Sequence, residues 1–361
     1  MKNTMMIILA VVLLGAAVIP FLIRKQPSSP TINLPALAQE EASHNSVAAL
    51  PAAAKRTAIQ QPKEPVPSLL ERVACLPPLT AQQVEAYVSQ NKSNVESLVA
   101  AYRATADKSW LIEAASRFPN HPDVQYAVIA TRAFPEVQRQ WINAYKTGSP
   151  DNALGFYLSA LDHFKVGVKS KGLQDLAEAT RKSVFRLEPV STLQAVEEVN
   201  LSAGRAPDEA RIAAFQTVAQ SPELTQMRDL ANVMKDLIQQ YQQHGDVSSA
   251  ASLANMGIIL GAHLCDGTAG QTVINQLVGI GIQKTFLQQL EPGARDPFGR
   301  PVAEASAAIE RRQAALKEYS QMMKRLTGRL NDNEWAVYME RVKLYGEESA
   351  LAWLKSKNDQ Q

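Results

Sequence analysis

A proline followed by an acidic residue recurs at Pro122-Asp123, Pro135-Glu136 and Pro150-Asp151, and again at Pro207-Asp208 and Pro222-Glu223. Proline suits the first turn of a helix, where its missing N–H is no loss and its fixed φ is already helical. An acid just behind it meets the positive end of the helix dipole. The five pairs therefore read as helix starts, with Ser149 and Ser221 as N-caps before two of them. The first three starts lie 13 and 15 residues apart, so each helix has only two or three turns. Helices this short do not persist alone in water. They must stack, and a stack of short antiparallel helices is a helical repeat.

The remaining patterns agree with helix. Thr80 with Gln83, and Asn331 with Glu334, have capping-box spacing. Leu224, Met227, Leu230, Met234, Leu237, Ile238 and Tyr241 form a stripe of helical period. Gly245 ends that helix and Asp246 caps the next, which runs to about Leu264. Further helices are expected over about Thr268–Leu290 and Val302–Leu330, with "EPGARDPFGRP" a plain loop between them, and Gly346 separates the last two. Ala, Leu and Gln are plentiful and aromatics make up only 6%, which also favours helix. No run of alternating polarity bounded by turn residues predicts a strand. The expected fold is all-α: stacked antiparallel helix hairpins and a C-terminal helical bundle.

The N-terminus has a different character. Met5 to Ile23 carries no charge and is about as long as a bilayer core requires of a helix. Lys2 precedes it and Arg24-Lys25 follows. The run is long for the apolar part of a cleaved leader, and the Ala36-Leu37-Ala38 site lies far beyond it. Residues 1–25 are read as an uncleaved signal anchor, with a cleaved leader as the alternative. Residues 26–70, rich in Pro, Ala and Ser, lack a sustained apolar period and read as a disordered linker. As a coil of about 45 residues it would span about 35–40 Å. The expectation is a single-pass protein of the inner (cytoplasmic) membrane, held through residues 5–23, with its soluble part on the periplasmic side. That part divides into a repeat region, 71–220, and a helical region, 221–361, that continues the array.

In "NVESLVAAYRATADKSWLIEAASRFPNHPD", Val95, Leu98 and Tyr102 fall at the spacing of the first-helix signature of tetratricopeptide repeats, and the closing Phe-Pro segment looks like the repeat-ending turn. "YQQHGDVSSAASLANMG" looks like the Gly-Asp turn and small-residue second helix of such a repeat. Residues 90 to 265 thus resemble the tetratricopeptide-repeat family, although the interval is not a strict 34. The resemblance implies a surface that binds a peptide or protein partner, not a catalytic centre.

The chemistry-bearing residues point the same way. A net charge of +2 with 20% charged residues argues against a nucleic-acid partner. Basic residues of the 302–330 helix, Arg311 and Arg312 among them, alternate with acids and read as a solvated face. His263, Cys265 and Asp266 lie close in sequence, but no second cluster completes a metal site, so neither metal nor cofactor is expected. Cys75 and Cys265 read as unpaired thiols, with a disulfide as the alternative. Gly257 and Gly261 have the spacing that lets helices approach closely, within an apolar run too short to cross a membrane. His163 beside Asp162 faces a different way on a helix, which argues against a catalytic pair. Trp141, Tyr145 and Tyr157 read as inter-helix core. Arg139, Asn143 and Lys146 are the expected polar lining of a partner groove. Two other readings stand beside partner binding: an enzyme of unrecognised class in the C-terminal helical half, around His263 to Asp266, and a purely structural domain.

Overall fold

The computed structural model describes residues 67–187, 190–218, 222–265, 272–327 and 329–359. The anchor residues 5–23, nearly all of the 26–70 linker, Ser221 and Asp266 lie outside them. The described residues form sixteen α-helices and no strand beyond two isolated bridges. The helices are α1 (Leu69–Ala74), α2 (Ala81–Gln90), α3 (Val95–Thr105), α4 (Lys108–Arg117), α5 (Pro122–Thr131), α6 (Gln138–Gly148), α7 (Ala153–Lys165) and α8 (Lys169–Ala179). They continue as α9 (Val190–Ser202), α10 (Pro207–Val218), α11 (Pro222–Gln243), α12 (Val247–Cys265), α13 (Val273–Leu287), α14 (Val302–Leu326), α15 (Asp332–Tyr345) and α16 (Glu347–Asn358).

Local chemistry sets most of the ends. Pro122, Pro207 and Pro222 open α5, α10 and α11. The other two proline-acid pairs behave differently. Pro135 opens a 3-10 turn, Pro135–Val137, and α6 follows from Gln138. Pro150 lies before α7, whose cap is Asn152, with Oδ1 accepting from the Leu154 N–H at 3.2 Å. Ser149 ends α6 instead of starting α7. Thr80 and Asn331 close reciprocal capping boxes with Gln83 and Glu334. Asp246 accepts from the Ser249 N–H at 3.0 Å. Gly245, at φ 74°, makes the turn between α11 and α12, a conformation that costs glycine little.

Three apolar centres hold the helices together. The first lies among α5–α8 and α11–α14, the second among α2–α5 and α9, and the third among α1, α10, α15, α16 and the end of α14. Successive helices pack on one another, but the chain also doubles back. α9 packs on α3, α10 on α1 and α15, and α11 on α7. Tyr87, Gln83 and Arg205 stitch the return, with Gln83 Nε2 donating to the Ala203 carbonyl at 3.0 Å. These contacts go beyond the neighbour-only packing of a simple repeat row. α1 begins at Leu69, inside the span read as linker, and Leu69 is 1% exposed in the third centre.

α12 and α13 make the most intimate pair. Among the described residues α12 is the helix long and apolar enough to cross a membrane, and half of its apolar window is buried inside the fold. Gly257 lies against the Phe286 ring and Gly261 against Gly279. Small residues remove the barrier to close backbone approach, so α12 packs as a core helix here.

Candidate functional site

Among the described residues, two of the places that gather polar side chains hold residues singled out from the sequence. The first is the junction of α6, α7 and α8. Arg139 and Lys146, two turns apart on α6, both reach towards Ser159 on α7. Arg139 is ion-paired to Asp162 and donates to Ser159 Oγ at 2.8 Å. Lys146 pairs with Asp175 of α8 at 2.5 Å. Ser159, fully buried, donates to the other oxygen of Asp175 at 2.5 Å. His163 Nε2 lies 3.6 Å from Asp175. Burial, with the neighbouring Arg139 charge, holds the His163 imidazole below its ordinary pKa.

This serine, histidine and aspartate are close, but they do not form a hydrolytic site. Ser159 has no exposed surface for a substrate, and its hydroxyl is committed to Asp175. The cluster instead neutralises charges between three packed helices. Of the three residues expected to line a groove, Arg139 and Lys146 are brought together in this network, while Asn143 stands exposed on the outer face of α6. Gln140 and Thr147 share that face, at helical spacing. The expected core aromatics are partly or fully enclosed. Tyr145 and Tyr157 are buried, and burial pushes both phenols well above their ordinary range. Trp141 stacks on Phe134 with centroids 6.0 Å apart.

The second place is a half-open cleft of about 420 Å³ between α12, α13, α14 and the loop that precedes α14. Ala262, Ile280, Ala308 and Ile309 give it an apolar floor, and Cys265, Gln283, Phe298, Arg300 and Arg312 complete the lining. The segment read as a plain loop is a built structure. Asp296, 4% exposed, accepts from the backbone N–H groups of Phe298 at 3.0 Å and Arg300 at 2.8 Å. It also pairs with the Arg300 guanidinium at 2.7 Å. The loop thus sets out Phe298, half exposed, and Arg300 at the mouth of the cleft. An Asx-type turn, Asp296-Pro-Phe-Gly-Arg300, was the available sequence signal.

Arg311 and Arg312 of α14 stand exposed, the solvated face read from the sequence. Arg312, its side chain 42% exposed, also donates from Nη2 to Gln276 Oε1 at 3.1 Å and to the Cys265 carbonyl at 3.5 Å. That carbonyl closes the C-terminal end of α12, where a cation is favoured. Cys265 Sγ accepts from Gln283 Nε2 at 3.2 Å. Cys75 and Cys265 are not joined in a disulfide: Cys75 is exposed, and Cys265 is buried in the first apolar centre.

His263 faces elsewhere. Its Nδ1 is 3.0 Å from the buried Tyr157 hydroxyl, and its ring stacks on Phe185 at 5.7 Å. His263 and Cys265 therefore do not converge on a common ligand position. Among the described residues no group of three His, Cys, Asp or Glu side chains is placed to hold a metal ion. Asp266, the third residue of that expectation, lies outside them.

In comparisons with known proteins, no family model, no curated protein and no solved structure matches this chain.

Proposed function

We infer that this protein is a membrane-tethered helical scaffold of the cell envelope that binds a protein or peptide partner. The observation that carries this reading is the succession α3, α4, α5, in which each helix packs on the next and α3 also reaches α5. That is how stacked helix hairpins of the tetratricopeptide type build a surface, and the sequence likeness falls on the same residues. The anchor over residues 5–23 would hold the domain at the inner membrane, with the helical part on the periplasmic side. The partner surface is the outer face of α6, where Gln140, Asn143 and Thr147 are exposed above the paired Arg139 and Lys146. The alternative of an enzyme around His263 has less support, because that ring is held between Tyr157 and Phe185.

Affinity capture of the tagged full-length protein from its native membranes, in mild detergent, tests this. A near-stoichiometric partner retained by the wild type and lost by the Gln140→Arg, Asn143→Arg double variant supports the reading. A protein that purifies without a partner overturns it.

A further inference from the structure

The cleft beside α12 has no role in a scaffold whose partner lies on α6. Its volume is at the lower end of what small-molecule sites occupy, and its lining combines apolar side chains with polar groups in about equal measure. Among the described residues that line it there are two guanidinium groups and no carboxylate. The acids that, among the described residues, pair with those groups are not part of the lining. Asp296 is buried within the loop, and Glu348, its side chain 44% exposed, lies 3.6 Å from Arg312. Each arginine keeps donors in reserve. Arg300 meets Asp296 through Nε and Nη2, leaving Nη1. Arg312 makes all its contacts through Nη2, leaving Nε and Nη1. Planar guanidinium donors match a carboxylate in geometry as well as charge. The Phe298 ring, half exposed and with the Arg300 guanidinium 5.3 Å from its centroid, adds apolar surface beside them.

We propose that this cleft binds a small organic acid, its carboxylate held by Arg312 and Arg300 and its apolar body seated between Ile280, Ile309 and Phe298. The buried carboxylate of Asp296 is then a positioning group, because it holds the loop that carries Phe298 and Arg300. The lining of the site carries its own reporter, the Cys265 thiol.

The test uses the full chain carrying Cys75→Ser, which leaves Cys265 as its single cysteine. Modification of the native protein by the anionic sulfonatoethyl methanethiosulfonate is compared with modification by the cationic trimethylammonioethyl reagent, read by intact mass. The proposal predicts that the anionic reagent reacts on the order of tenfold faster, because the cleft concentrates negative charge. Arg312→Gln should erase that preference. Phenylbutyrate should slow the modification several-fold, while its uncharged amide should not, a comparison that needs no variant and so survives a folding defect. A thiol that neither reagent reaches, or one that the cationic reagent modifies as fast, overturns the proposal. A peptide ending in phenylalanine with a free carboxylate is the remaining probe. Protection by that peptide and not by phenylbutyrate overturns the small-acid assignment in favour of a chain terminus.

Discussion

Gly261 of α12 and Gly279 of α13 lie so close that a Cβ on the first would be 2.6 Å from the carbonyl oxygen of the second, and a Cβ on the second 2.5 Å from the carbonyl oxygen of the first. Backbone cannot move aside as a flexible side chain can. Gly261→Ala or Gly279→Ala should therefore cost about 1–3 kcal/mol by overpacking, despite the better helix propensity of alanine. Gly281, two residues further along α13, has open space where its Cβ would be. Gly281→Ala should be neutral or stabilising by about 0.5–1 kcal/mol. Thermal melts of the three variants check the contrast, and equal effects at all three would contradict the close helix pairing.

Leu69 separates a linker from a folded element. A leucine in an unstructured tether can be truncated without cost. Leu69 is instead enclosed with Ile212, Tyr338 and Leu351, and Arg72 one turn later pairs with Glu209 at 3.1 Å and Asp332 at 3.0 Å. Leu69→Ala should lower stability by about 2–5 kcal/mol. An unchanged melting temperature would remove α1 from the fold.

Glu347 predicts a pH dependence. Its carboxyl accepts from the Val273 N–H at 2.7 Å and the Tyr338 hydroxyl at 3.2 Å. Burial outweighs these bonds and raises its pKa above the ordinary 4.5. The folded state therefore holds this proton to higher pH than the unfolded chain does. Its contribution is fully present below pH 4.5 and is lost as pH rises through the folded value. Glu347→Gln keeps an acceptor for Val273 and carries no proton to lose. Its stability relative to wild type should increase across that window. Parallel urea titrations at several pH values measure this, and parallel curves for the two proteins would refute it.

Arg139 and Asn143 share α6 but should respond differently. Removing the Arg139 side chain leaves Asp162 without its cation and takes from Ser159 Oγ the closer of its two donors, leaving Lys146 at 3.5 Å. Arg139→Ala should cost about 1–3 kcal/mol, with the partial exposure of the pair keeping it below the buried extreme. Asn143→Ala, at an exposed position, should stay within about 0.5 kcal/mol. Chemical denaturation distinguishes these outcomes.

Asp296 should behave as the core of its loop. Asp296→Ala removes the acceptor for two backbone N–H groups and the partner of Arg300. A loss of about 2–4 kcal/mol is expected, from buried donors left unmet. Limited proteolysis should then cut at Phe298, where the wild type resists. Unchanged cleavage would show that the loop is held by something else.

Residues close in sequence made much of this protein legible. The caps at Thr80, Asp246 and Asn331, the stripe from Leu224 to Tyr241 and the turn at Gly245 are all contacts within a few positions, set by backbone donors and helical period. The all-α class follows from such signals. The proline-acid rule worked at Pro122, Pro207 and Pro222, where the ring occupies the first helical position. It missed at Pro135 and Pro150, where a 3-10 turn and the Asn152 cap took over.

Tertiary structure alone decided the rest. Whether Arg139 faces a groove or Asp162 depends on how α6 meets α7, and the ion pair spans 23 positions. The return of α9 onto α3 joins segments nearly a hundred residues apart. The cleft draws its lining from Ala262 to Arg312, across three helices and a loop. Composition marked that loop as turn-forming, but the burial of Asp296 and its bonds to Phe298 and Arg300 are tertiary facts. Helix period and capping act between neighbours along the chain. Pairing of charges and enclosure of a cavity depend on which apolar faces find each other, and those faces compete across the whole molecule.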